Sequence, residues 1–86
     1  MSCRIDRLST EQGLVLYISG RLGAENLDVV RDALDASRVV ALELAEVELV
    51  GREAVKLLVR AEAEGIELRR CPAYIREWIT HERESS

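Results

Sequence analysis

Apolar and polar positions alternate most regularly at Leu14-Val15-Leu16-Tyr17-Ile18, where Leu14, Leu16 and Ile18 share one side of an extended chain. A weaker run over residues 3–9, around Ile5 and Leu8, precedes it. The polar turn Thr10-Glu11-Gln12-Gly13 joins the two, so the pair predicts a β-hairpin. After Ser19-Gly20 the period changes. Leu27, Val30, Ala33 and Leu34 recur at helical spacing, and Glu25 and Asp28 stand where the helix dipole favours acids, which predicts a helix over residues 24–36. The run from Val39 to Leu44 is β-branched and extended, and it leads through Ala45 to Val50 to a lone glycine, Gly51.

From Arg52 to Glu64, Ala54, Val55, Leu58 and Ala61 form a helical stripe, with Gly65 placed for a left-handed C-terminal cap. Ile66 to Cys71 alternates as a fourth strand. Pro72 opens a last helix with Ile75, Trp78 and Ile79 as its buried stripe, and the tail from Glu82 to Ser86 is expected to fray.

The order β-β-α-β-α-β-α predicts an α/β fold with a four-stranded mixed sheet. Strands two, three and four run parallel, and the first pairs antiparallel. Alternation puts Leu14, Leu16, Ile18, Val40, Leu42, Leu44, Ile66 and Leu68 on one apolar face, which all three helices cover. The opposite face is expected to carry Val15, Tyr17, Val39, Ala41 and Cys71 among Glu43, Glu67 and Arg69. Such a half-apolar surface suits self-association into a homodimer or partner docking, unless the N-terminal segment and arginine stems cover it.

At 86 residues the chain has room for one core, so residues 1–86 read as a single domain. Hydrophobic residues make up 48%, enough for one packed layer. Aromatic residues make up only 3% and the net charge is −4, which leaves little to stack on bases and repels a phosphate backbone; nucleic acid is not an expected partner. All but one of the basic residues are arginine, Lys56 being the exception. Cys3 and Cys71 form no C-x-x-C and read as free thiols. No stretch approaches the length of a membrane span and the N-terminus lacks a signal-peptide core, so neither membrane nor export is expected and the location reads as cytoplasmic.

The order of elements and several local segments resemble the STAS domain, the fold of bacterial anti-sigma factor antagonists. The resemblance is carried by Leu16-Tyr-Ile-Ser-Gly-Arg-Leu22, by Leu42-Glu-Leu-Ala-Glu-Val-Glu-Leu-Val50 ahead of a switch loop, and by Gly65-Ile-Glu-Leu68 before Cys71-Pro72. It spans nearly the whole chain, although typical members carry a further strand and helix, so this reads as a trimmed version. It implies a protein-binding role in transcription regulation and signalling, with an anti-sigma factor or kinase-like regulatory protein as partner. The family's loop usually reads Asp-Ser-x-Gly, with a phosphorylatable serine. Here it reads Gly51-Arg52-Glu53-Ala54, and Gly23 replaces a second family aspartate. No hydroxyl remains in that loop, so phosphorylation there is chemically impossible.

In folds of this kind the strand exits and helix starts gather at one rim, here Arg21 to Ala24, Glu46 to Glu53 and Cys71 to Tyr74. Arg21, Gly23, Gly51, Arg52, Glu53 and Tyr74 are the candidate partner-binding residues. Helix N-termini with Arg21 and Arg52 suit an anionic group, which Glu46, Glu48 and Glu53 oppose. Arg52 and Glu53 read equally well as a solvated ion pair. Glu43, Glu46 and Glu48 read as wet surface rather than a cation site, so no metal is expected. His81 is the only histidine, so a nucleophile-and-base arrangement would have to draw on residues distant in sequence; the sequence pairs no acid with a base and no nucleophile with one, and no enzyme is expected. Cys71, before a helix N-terminus, reads as a structural thiol or one of lowered pKa. The leading expectation is a non-catalytic interaction module without a cofactor; the alternative is a sensor holding a nucleotide, flavin or lipid-like anion at the rim.

Overall fold

The computed structural model describes residues 3–36 and 38–85. Its elements are β1 (Cys3–Thr10), β2 (Gly13–Leu22), a 3-10 turn (Ala24–Asn26), α1 (Leu27–Ala36), β3 (Val39–Val50), α2 (Arg52–Ala63), β4 (Glu67–Arg69) and α3 (Ala73–Ser85). The sheet order is β1-β2-β3-β4, with β1 antiparallel to β2 and the other pairs parallel. The α/β class, the four-stranded mixed sheet and the element order are therefore as the pattern predicts.

The hairpin closes on Thr10, whose hydroxyl donates to the Gly13 carbonyl at 2.7 Å and accepts from the amides of Gln12 and Gly13. Gly13 has φ +146°, and a Cβ there would lie 2.7 Å from the Arg38 carbonyl oxygen. Only glycine fits this approach, which lets the Leu14 amide bond Arg38 at 2.8 Å and start the β2–β3 ladder.

Leu16, Ile18 and Leu22 of β2 and Leu42, Leu44, Val47 and Val50 of β3 enter one buried cluster with Leu27, Val30 and Ala33 of α1, Val55, Leu58 and Ala61 of α2, and Ile75 and Ile79 of α3. All three helices thus pack on a single side of the sheet. The alternation of β3 is broken by three register shifts, between Leu14 and Val15, Tyr17 and Ser19, and Gly20 and Arg21 of its partner strand. Each shift gives β3 one extra residue and turns its side chains over.

That corrects the predicted faces. Val39 joins the core while Val40 is only partly buried and lies outside it, and Cys71, expected on the opposite face, packs against the core. The open face consists of three rows: Leu8-Val15-Ala41-Glu67, Asp6-Tyr17-Glu43-Arg69, and Arg4-Ser19-Glu46. Val15 and Ala41 in its centre are buried beneath their neighbours, so this face is more polar than the pattern suggested. Trp78, predicted in the buried stripe of the last helix, is 38% exposed.

α2 ends in a Schellman arrangement: the Ile66 amide bonds the Ala61 carbonyl, the Gly65 amide bonds Glu62, and Gly65 has φ +96°. β4 is shorter than the predicted strand. Arg70 takes a left-handed conformation, φ 50°, and Pro72 has no amide to offer, so pairing stops at Arg69. α3 runs to Ser85 through the segment expected to fray. It is held on α2 by Glu62, which accepts from Arg76 at 3.0 Å and from Arg83 at 3.1 Å.

Candidate functional site

The ends of β2 and β3 lie side by side, with Arg21 opposite Leu49 and Leu22 opposite Val50. The Gly51 amide then bonds the Leu22 carbonyl at 3.0 Å, which draws the two chain exits together. A Cβ on Gly51 would stand 3.9 Å from the Cα of Gly23. The two glycines are thus neighbours, at a distance where a Cβ on Gly51 would make an ordinary van der Waals contact. Asn26 locks the β2 exit from behind, its side-chain amide donating to the Arg21 carbonyl at 3.1 Å and its backbone amide to Gly23 at 3.0 Å.

Around this junction Arg21, Leu22, Gly23, Glu25, Leu49, Val50 and Gly51 line an open depression of ≈ 260 Å³. Three predicted residues, Arg21, Gly23 and Gly51, therefore meet. Arg52 follows directly as the exposed first residue of α2. Glu53 does not join them: it lines a separate groove with Arg31, Lys56, Leu57 and Arg60 between α1 and α2. Among the described residues neither Arg52 nor Glu53 forms an ion pair within 4.0 Å, so the solvated Arg52–Glu53 pair is not made.

Tyr74 lies outside the depression. Its hydroxyl donates to the carbonyls of Glu48 at 2.5 Å and Val47 at 3.2 Å, along the part of β3 that β4 is too short to cover. It straps α3 to that strand. Glu25 changes the electrostatics of the junction, because its carboxylate oxygens lie 3.1 and 3.3 Å from where a Cβ on Gly23 would be. An acid already stands at the start of the first helical segment, so the corner is not a bare anion cradle. The arginines at its edge remain exposed.

Leu49 is the member that pattern reading missed. It is 51% exposed at the mouth of the depression, yet in sequence it is one apolar residue in the run Leu44 to Val50. Its exposure follows from the third register shift, between Gly20 and Arg21, which no periodicity shows.

On the open sheet face Asp6, Tyr17, Ser19, Glu43 and Glu46 line a second depression of ≈ 230 Å³. Glu43 is unusual there. Its side chain is only 12% exposed, its Oε1 is enclosed without a hydrogen-bond donor, and the Arg70 Nε lies 3.8 Å away on a largely exposed side chain. An enclosed oxygen without a donor costs stability. Glu43→Val is therefore expected to raise stability by about 1 kcal/mol, roughly 4–8 °C in melting temperature. A lower melting temperature would show that the carboxylate is satisfied. Among the described residues no three His, Cys, Asp or Glu side chains are grouped to hold a metal ion.

Burial pushes the Cys71 thiol above its ordinary range, outweighing the opposite pull of Arg76, and nearby Glu62 adds to the rise. The helix start does not activate it. Burial likewise raises Cys3, and burial, Glu48 and Cys71 raise the Tyr74 phenol. Each of these groups holds its proton more tightly folded than unfolded, so stability is full below the unfolded values and falls as pH rises through them. Melting temperature is expected to stay level to about pH 8.5 and decline beyond about pH 9, less steeply in Cys71→Ala. A level profile to pH 10 in both proteins would contradict this.

Among the described residues no helix is long and apolar enough to cross a membrane. No family model matches the chain, and searches of curated proteins and of solved structures find no match.

Proposed function

We propose that this chain is a non-catalytic interaction module of the anti-sigma factor antagonist kind. In this reading it docks on another bacterial regulatory protein through the corner of Arg21, Gly23, Leu49, Gly51 and Arg52, without a phosphorylation switch. One observation carries the reading: Leu49, a half-exposed leucine, lies opposite the exposed Arg21 where the Gly51 amide bonds the Leu22 carbonyl, and the exposed Arg52 follows at the start of α2. Protein interfaces commonly pair an apolar centre with a polar rim, and arginine is enriched in them. The corner is also rigid, since the Gly51–Leu22 bond and the Asn26 bonds hold both chain exits, and a preformed surface loses little entropy on docking. The resemblance to STAS domains supports the choice of partner class. Arg52, in place of the serine, gives a charge that no kinase can change.

A small-ligand sensor is less well supported. The depression is open, smaller than the ~300 Å³ or more of typical ligand pockets, and has the Glu25 carboxylate beside it.

Capture from native cells tests the reading. Immobilised chain is expected to retain a regulatory protein, and Arg21→Glu combined with Arg52→Glu to lose it. Retention equal to that of the unaltered chain would count against the corner. A melting-temperature increase with nucleotides or flavins and no captured protein would favour the sensor.

A further inference from the structure

We propose that two copies of this chain associate through the free edge of β1, antiparallel and centred on Ile5, forming one continuous eight-stranded sheet. β1 ends the sheet order and pairs with β2 along all eight of its residues, so its other side presents alternate N–H and C=O groups to a further strand. β1 contains no proline, and its charges are Arg4, Asp6 and Arg7. In isolation such charges discourage edge pairing. Their signs decide which copy of the strand they accept.

A two-fold axis normal to the sheet keeps every side chain on its own face, so the symmetric registers are those centred on one residue. Centring on Arg4, Asp6 or Arg7 sets a charge directly opposite its own copy, which is unfavourable. Centring on Leu8 gives no charge an opposite partner. Centring on Ile5 sets Arg4 opposite Asp6 twice, once on each side of the axis. Arg4 and Asp6 share the open face and lie 3.2 Å apart within one chain, so the pairing makes a ring of alternating charges. On the other face Ile5, which packs against the core, meets its copy, and the two cores become continuous across the axis. All six helices then lie on one side of the joined sheet.

Sedimentation equilibrium over micromolar to millimolar concentration tests this, with a charge swap to identify the register. The unaltered chain is expected to dimerise. Arg4→Asp alone and Asp6→Arg alone each set like charges opposite at both pairs and are expected to weaken the dimer at least about tenfold. The double variant Arg4→Asp/Asp6→Arg restores opposite charges and is expected to return to within about threefold of the original. Both side chains are more than half exposed, so all three variants fold, as circular dichroism will confirm. A monomer throughout the range, a dimer indifferent to the single changes, or a double variant no better than the singles would each overturn the proposal. Indifference would move the contact to another surface, such as the open sheet face.

Discussion

Leu42→Ala is expected to destabilise the fold by about 3 kcal/mol and to lower the melting temperature by roughly 12–24 °C. Leu42 is 0% exposed at the middle of β3, paired with Leu16 on β2 and Leu68 on β4, and it belongs to the cluster that receives all three helices. Truncation there removes three carbons from a site that strands on both sides keep from collapsing, so the transfer loss and most of the cavity cost apply together. Leu8→Ala is the internal comparison. Leu8 is 49% exposed on the open face, and its loss is expected to shift stability by less than about 0.5 kcal/mol. Thermal melts of both variants by circular dichroism check the assignment of faces. Similar shifts in the two would show that helices cover the wrong side.

The second large effect lies at the corner. Leu49→Asp is expected to weaken partner binding by about 30-fold or more, which corresponds to about 2 kcal/mol for a central hot-spot residue, while changing the melting temperature little. The half-exposed side chain contributes little to the core but is the apolar centre of the proposed contact. Titration of the captured partner by calorimetry measures it. A Leu8→Asp protein, altered on the open face, is expected to bind normally. Unchanged binding by Leu49→Asp would remove the corner from the contact, and equal loss in both variants would place the contact elsewhere.

Much of the architecture is legible in the residues because local signals agree. Thr10 to Gly13 marks the hairpin, Gly65 carries the positive φ expected of a helix cap, and Ile75 and Ile79 are fully buried at helical spacing. What escaped depends on the sheet as a whole. Strict alternation assigns Val40 to the core, but the register shift beside Leu14 hands that role to Val39. The strand expected over Ile66 to Cys71 shortens because Arg70 turns left-handed, a choice arginine does not announce. At the corner, Gly23 and Gly51 were readable as glycines at the exits of two strands. Their contact was not, because it needs the Leu22 carbonyl to meet the Gly51 amide. Glu53 and Tyr74 were expected at the same rim. Helix periodicity carries Glu53 round to the groove beside Arg31, and two carbonyls of β3 claim the Tyr74 hydroxyl.

Amide hydrogen exchange of the chain with and without its captured partner gives the sharpest reading of the corner. Docking there is expected to slow exchange in residues 21–26 and 49–55 and to leave the Cys3–Thr10 strand and the Ala73–Ser85 helix unchanged at concentrations where the chain is monomeric. Protection confined to other segments, with 49–55 exchanging as in the free chain, would contradict docking at this corner.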